Sequence, residues 1–218
     1  MSIKLSFFKE KSFHHHYYIE QQDRSDQLAE HVYEQLQRSP QKNHIVFICI
    51  GTDRSTGDAF GPLVGTIIHE NSSKRMTVYG TLQNPVHALN LEETLKEIKL
   101  LHHGALVIAI DASMGRSDSV GRVTFASGPV RPGSAVKKVL PTAGDMHITG
   151  TVNVGGMMEF VILQNTRLHF VMQMAEWTAE GILKADRLLN SHSTMRRSRT
   201  CPLPVHGESL TAPTKELH

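Results

Sequence analysis

Residues 45–62 read IVFICIGTDRSTGDAFGP, and this stretch decides the fold. It opens with an apolar run from Ile45 to Ile50 that does not alternate with polar residues. Such a run is typical of a strand buried on both faces of a parallel sheet. Gly51 ends the strand, and a helix is predicted to begin near Ala59. Ligands of open α/β sheets bind in the loops at the carboxyl ends of strands, so the polar loop between these two residues is a candidate site.

The same alternation of strand and helix continues along the chain. Apolar spacing predicts helices at 25–38, from 59 onwards and at 91–102, with Ser25 and Asn90 as N-caps. Further strands are predicted at 76–80 and 105–110. This order indicates an α/β fold with a mostly parallel sheet, joined by right-handed crossovers and covered by helices on both faces.

The remaining segments complete the predicted organisation. Residues 120–126 indicate a short strand in an edge hairpin, 127–147 a long loop, 148–154 a strand and 166–189 an amphipathic helix. Residues 1–22 show no sustained period and are interpreted as an arm. The α/β domain is placed at 23–190, and 191–218 are predicted to be a disordered polar tail.

Composition narrows the function classes. The 218 residues carry a net charge of +2, which does not favour nucleic acid as a partner. Cys49 lies in the predicted buried strand and Cys201 in the predicted tail, an arrangement that favours a reducing compartment over a structural disulfide. We find no apolar stretch long enough for a membrane helix and no secretory h-region, and therefore expect a cytoplasmic protein without a membrane partner.

Two aspartates follow the two continuous apolar strands. Asp58 lies one loop beyond the first strand, and Asp111 ends the second. If these strands are neighbours, the two carboxyl groups converge, and close carboxylates push their pKa values apart so that one can act as acid and the other as base. Alternatively, both stay ionised and hold a divalent metal with a histidine. A third interpretation is ordinary helix capping.

Other polar side chains surround this candidate pair in the sequence. Of His87 and His147, His147 is the better candidate for a metal ligand, because Asp145 could orient its imidazole. The side chains that we predict to bind substrate are Asp53, Arg54, Ser55, Asn84, His87, Asn90 and Asn153. The chain lacks a Gly-x-Gly-x-x-Gly motif, a phosphate-binding loop and a Gly-x-Ser-x-Gly elbow, which argues against nucleotide-dependent and serine-dependent chemistry.

Four separated motifs carry a family resemblance over residues 44–190. They are GTDRSTGDAFGPLV at 51–64, NPVHALN at 84–90, IDA at 110–112 and ITGTVNVGG at 148–156. In this order they resemble the YyaC-type sporulation proteins of spore-forming bacilli. That family is similar to the germination protease that degrades small acid-soluble spore proteins and, more distantly, to the hydrogenase-maturation endopeptidases (HybD-like fold).

The resemblance carries expectations about fold, site and function. It implies an α/β sandwich of the phosphorylase/hydrolase type, with Asp58 and Asp111 at the positions of the two proposed catalytic aspartates. In the hydrogenase-maturation relatives the corresponding acids bind metal with a histidine, for which His147 is the candidate here. The leading expectation is a sporulation peptidase in the cytoplasm of the forespore or mother cell, acting on protein substrates such as small acid-soluble spore proteins. The alternative is a non-catalytic sporulation protein that keeps the scaffold for binding.

Overall fold

A computed structural model describes residues 12–21, 24–39, 44–133, 140–156 and 158–198. The strands are β1 (His14–Tyr18), β2 (Ile45–Cys49), β3 (Met76–Tyr79), β4 (Leu106–Gly115), β5 (Arg122–Ser127) and β6 (Met146–Val154). The helices are α1 (Arg24–Arg38), α2 (Phe60–Asn71), α3 (Leu91–Leu101), α4 (Glu159–Gln164) and α5 (Leu168–Ser198). Two short 3₁₀ turns lie at Gly57–Ala59 and Ser117–Ser119.

All six strands form one mixed sheet in the order β1-β5-β6-β4-β2-β3. The strands β6, β4, β2 and β3 are parallel, whereas β5 is antiparallel to both of its neighbours. The prediction of a mostly parallel sheet is confirmed. The apolar run of β2 lies between β3 and β4, and every residue of this strand is buried, as expected for a strand covered on both faces.

Helices cover both faces of the sheet. On one face α1, α2 and α5 pack together over a core that includes Leu28, Val64 and Ala175. On the other face α3 places Leu91 and Ile98 against a second core. The three-layer α/β/α arrangement predicted from the sequence is therefore confirmed.

The amino-terminal arm predicted at residues 1–22 is wrong where the structure describes it. Residues His14–Tyr18 form an edge strand that pairs antiparallel with β5, and Tyr17 is only 1% exposed. This strand was not predicted, because its run of histidines shows little of the apolar alternation that is typical of a half-buried strand. Ser25 lies inside α1 rather than before it, and its hydroxyl accepts a hydrogen bond from Lys184.

Three other features of the fold differ from the predictions. The strand β5 lies between β1 and β6 and is not at the edge of the sheet. The strand β4 continues beyond Asp111 to Gly115, because β6 pairs with it over that whole length apart from an irregularity at Ser113/Met114. The helix α5 extends to Ser198, so the disordered tail predicted from residue 191 is wrong for its first part, and 199–218 lie outside the described residues. No described helix is long and apolar enough to cross a bilayer.

Candidate active site

The loop after β2 places Asp58 by backbone hydrogen bonds. The Gly51 amide donates to the Val86 carbonyl (2.8 Å), and the Thr52 amide donates to the Asp58 carbonyl (3.3 Å), which closes the loop. Asp58 then lies within a 3₁₀ turn. Neither this turn nor α2 has a side-chain hydrogen bond at its N-cap, so the structure does not support a capping role for the Asp58 carboxyl group.

Two glycines allow this loop and α2 to lie close to β2. Gly51 has φ +150°, and a Cβ atom there would lie 1.9 Å from the Asp58 carbonyl oxygen. A Cβ atom at Gly61 would lie 2.2 Å from the Ile50 carbonyl oxygen. Only glycine allows both backbone approaches, and these approaches set the position of Asp58 above the end of the strand.

Asp111 comes from the neighbouring strand. The strands β2 and β4 pair in parallel, and the Ile50 amide donates to the Ile110 carbonyl (2.7 Å) immediately before Asp111. Because parallel strands end at the same edge of the sheet, Asp58 and Asp111 are brought to one place, where both line the same cavity. The predicted juxtaposition is therefore present, although Asp111 lies within its strand rather than at its end.

Burial and mutual repulsion disfavour two ionised carboxylates. Burial raises the pKa of Asp58, and the nearby Ser55 hydroxyl partly offsets this rise, although its geometry falls short of a formed hydrogen bond. The pKa of Asp111 is well above its usual range, first because of burial and second because of the Asp58 charge, with a partial offset from the Ala112 backbone. Such a pair favours a state in which one proton is shared by two carboxyl groups.

The cavity that contains this pair has a volume of about 430 Å³. We call it the carboxylate cavity. Its walls combine the loop after β2, the second half of β4, the segment before α3, the loop predicted at 127–147 and the end of α4. The lining residues are Ile50, Gly51, Thr52, Arg54, Ser55, Asp58, His87, Ala88, Asp111, Ala112, Ser113, Met114, Pro132, Gly133, Leu140, Leu163 and Gln164. An apolar wall around two acids and one cation is the composition expected of a pocket for a small part of a substrate.

The structure brings three of the predicted substrate-binding residues to this cavity. Arg54 is exposed and supplies a positive charge, and His87 also lines the cavity. Ser55 is 4% exposed, and its hydroxyl has no hydrogen-bond partner in the described chain. Asp53 is exposed and does not line the cavity.

The three predicted asparagines lie elsewhere. Asn84 and Asn90 line a neighbouring groove, and Asn90 holds the loop before α3 by accepting from the His87 amide (2.7 Å) and donating to the Pro85 carbonyl (3.0 Å). Asn90 occupies the N-cap position of α3, as predicted, but its side chain makes no capping hydrogen bond to the helix. Asn153 donates to the Thr166 hydroxyl (3.1 Å) and has a structural contact there.

His147 does not join the two aspartates. Its Nδ1 atom lies 2.8 Å from the Gly128 carbonyl oxygen, and His147 is not among the cavity-lining residues. The Asp145 carboxylate accepts from the Val107 amide (3.0 Å). Among the described residues, no three His, Cys, Asp or Glu side chains converge as a metal site requires, so the predicted trio of Asp58, Asp111 and His147 is not assembled.

Several lining residues were missed by sequence reasoning. Pro132, Gly133 and Leu140 belong to the long loop predicted at 127–147, whose length and composition were the only signal available. Met114 follows the irregularity in the β4–β6 pairing. Leu163 belongs to α4, and its apolar side chain is indistinguishable in sequence from an ordinary core residue.

The raised pKa of Asp111 predicts that this residue lowers the stability of the fold in a pH-dependent way. A carboxyl group whose pKa is higher in the folded than in the unfolded state lowers stability as the pH rises through that interval. Asp111→Asn removes this cost, and we expect its melting midpoint to exceed that of the wild type by several degrees at pH 7.5, at about 2–4 °C per kcal/mol. The difference is expected to shrink towards pH 4. Calorimetry of both proteins across this range measures it, and a difference that grows on acidification would contradict the assignment.

Comparison with known proteins places the chain in a family. The family described as "Protein of unknown function (DUF1256)" matches residues 16–181. The chain belongs to the DUF1256 family. This DUF1256 chain is 50% identical over 159 residues to "Uncharacterized protein YyaC" of Bacillus subtilis (strain 168), which covers 73% of this chain and 75% of the relative. The resemblance to YyaC-type proteins is thereby confirmed, whereas the relation to germination protease stays a prediction.

A solved structure is also similar to the DUF1256 chain. The crystal structure of HycI, a NiFe hydrogenase maturation protease from Thermococcus kodakarensis KOD1, aligns over 65% of this chain and 93% of its own, at 18% identity and a TM-score of 0.37. This likeness is too distant to bear on function.

Proposed function

We propose that this DUF1256 chain is a peptidase that hydrolyses peptide bonds with Asp58 and Asp111. The observation that carries the proposal is that both carboxyl groups line one cavity beside the adjacent parallel strands β2 and β4. Burial raises the pKa of each, and their repulsion adds to the rise at Asp111. Two acids in such an environment are equipped to hold and exchange one proton.

The unequal environments assign a role to each acid. Because burial first and the Asp58 charge second hold the pKa of Asp111 well above its usual range, the shared proton belongs mainly to Asp111. Asp58 then takes a proton from water as the water oxygen attacks the peptide carbonyl, and Asp111 donates its proton to the carbonyl oxygen. When the tetrahedral intermediate collapses, the C–N bond breaks, the amine leaves with the proton held by Asp58, and one hydroxyl of the intermediate returns its proton to Asp111, which gives the carboxylic acid product and restores the starting protonation state.

Neighbouring residues fit supporting roles. The Ser55 hydroxyl lacks a partner in the described chain and can donate to an ionised Asp58 or to the bound peptide. The His87 Nδ1 atom accepts from the Leu89 amide (3.3 Å), so in the neutral ring the proton lies on Nε2, where it can donate to a substrate carbonyl. Arg54 offers a charge to an acidic group of the substrate.

A divalent metal fits this donor set poorly. The two carboxylates would be its ligands, but the third ligand predicted at His147 bonds elsewhere, and the described residues hold no alternative group of three. Zinc sites in proteins are built from three or more such ligands. The acid–base pair accounts for the chemistry by proton transfer alone.

The biological setting is proposed from the YyaC-type resemblance. It suggests a role in sporulation, in the cytoplasm of the forespore or mother cell, with small acid-soluble spore proteins as substrates. These proteins would reach the site as extended segments, because only an unfolded strand can present its backbone to a cavity of this size.

Incubation of the purified chain with small acid-soluble spore proteins tests the proposal. We expect discrete cleavage products by mass spectrometry, at a rate unchanged by EDTA, because the acid–base pair needs no ion. Loss of cleavage with EDTA and its recovery with a divalent metal would replace the proton-sharing mechanism by a metal-dependent one. A folded sample that cleaves none of these proteins, with or without metal, would favour the non-catalytic binding scaffold.

A further inference from the structure

A second concave surface adjoins the carboxylate cavity. This edge groove has a volume of about 700 Å³ and shares His87 with the cavity. Its base is the end of β3, at Val78 and Tyr79, and the loop that follows from Gly80. One wall is the outer side of α2, with Thr66 and Glu70, and the other is the start of α3, with Asn90 and Thr94.

The base of the edge groove is the edge of the sheet. The strand β3 pairs only with β2 among the described strands. The Ile45 amide donates to the Arg75 carbonyl (3.1 Å), so the backbone of Arg75 and, by alternation, that of Thr77 face β2. The N–H and C=O groups of Val78 therefore point away from β2, towards the groove, where they can pair with another strand.

The groove is already shaped in the described structure. The Leu82 amide donates to the Thr66 hydroxyl (2.9 Å), which ties the loop to α2. The Asn84 amide donates to the Thr81 hydroxyl (3.1 Å), and Asn90 holds the segment that leads to His87. A site that is ordered before binding loses little conformational entropy when its ligand arrives.

We propose that the edge groove binds an extended peptide segment as an additional strand beside β3. This inference rests on the proposed function, because His87 joins the groove to the cavity in which cleavage would occur. Backbone pairing explains how a peptidase could hold a substrate with little regard to sequence, while the carboxylate cavity takes the residue next to the cleaved bond.

Proline substitution on the edge tests the pairing. Val78→Pro removes the outward N–H, and proline is tolerated on edge strands where that group faces solvent. The probe is fluorescein-labelled β-casein, an unfolded chain, and binding is measured by anisotropy in the Asp58→Asn background to prevent cleavage. We expect about a tenfold loss of affinity, because one backbone pair and its neighbours are lost.

Two controls separate backbone pairing from other effects. His14→Pro alters the opposite edge of the sheet. The backbones of Phe13 and Ile19 face β5, so that of His14 points outwards. We expect this variant to bind casein with unchanged affinity. Val78→Ala keeps the amide and loses the side chain, and we expect less than a threefold loss. An equal loss in Val78→Ala and Val78→Pro, or none in Val78→Pro, would overturn the inference.

The outcomes also separate this inference from the proposed function. Casein binding that depends on Val78, without cleavage by the wild type, would keep the groove and reject the peptidase. Cleavage by the wild type without casein binding to Asp58→Asn, or with binding that ignores Val78, would keep the peptidase and reject the groove. Absence of both binding and cleavage would reject both.

Discussion

Asp58→Asn and Asp111→Asn are each expected to lower kcat/KM for peptide cleavage by about a thousandfold or more while the protein stays folded. Asparagine is nearly isosteric with aspartate, and its side-chain oxygen still accepts hydrogen bonds, but its amide cannot exchange a proton as a carboxyl group does. Each substitution also relieves the cost of burying a carboxylate, so we expect equal or higher thermal stability. Loss of activity with gain of stability is the pattern of a functional site.

The matched control for this prediction is Asp118→Asn. Asp118 is an exposed aspartate that pairs with Arg116 (3.3 Å) outside the carboxylate cavity. Its replacement is expected to change neither cleavage nor melting, because exposed ion pairs contribute little to stability. Initial rates against a small acid-soluble spore protein and calorimetric midpoints are the measurements. If Asp58→Asn and Asp111→Asn retained wild-type rates, the two acids would not be catalytic.

Gly51→Ala is expected to destabilise the fold by about 3 kcal/mol or more. The new Cβ atom would lie 1.9 Å from the Asp58 carbonyl oxygen and 2.8 Å from Pro62 Cδ, so the loop that holds Asp58 must move. The residue also has a φ of +150°, which side chains rarely adopt. Since the displaced loop carries Asp58, we expect cleavage to fall even at temperatures where the variant is still folded.

Gly156→Ala separates the two causes of this effect. Gly156 has a φ of +151°, but a Cβ atom there would meet nothing within 4 Å. It therefore measures the backbone strain alone, for which we expect about 1–2 kcal/mol. Urea unfolding of both variants gives the comparison. Equal losses of stability would show that the contact with Asp58 costs nothing and that the loop adapts to a side chain at Gly51.

The amino-acid sequence by itself determined the central part of the fold. The continuous apolar runs of β2 and β4 reveal buried parallel strands, because a strand covered on both faces has no polar side. The helical stripe after Ala59 and the position of Pro62 in its first turn are local signals of the same kind. The two aspartates were found for this reason too, because each follows an apolar run whose burial is visible in the sequence itself.

Only the tertiary structure decided what surrounds that pair. The edge strand β1 forms because its backbone pairs with β5, more than a hundred residues away in sequence, and pairing of this kind leaves no pattern in a run of histidines. His147 is separated from the aspartates because its ring bonds to Gly128, a partner that its sequence neighbours do not indicate. Leu163 and Leu140 reach the carboxylate cavity by packing of distant segments, and the place of β3 at one edge of the sheet follows from the order of the described strands. Local patterns record burial and periodicity, whereas the contacts between distant segments, which select the neighbours of Asp58 and Asp111, depend on the packed chain as a whole.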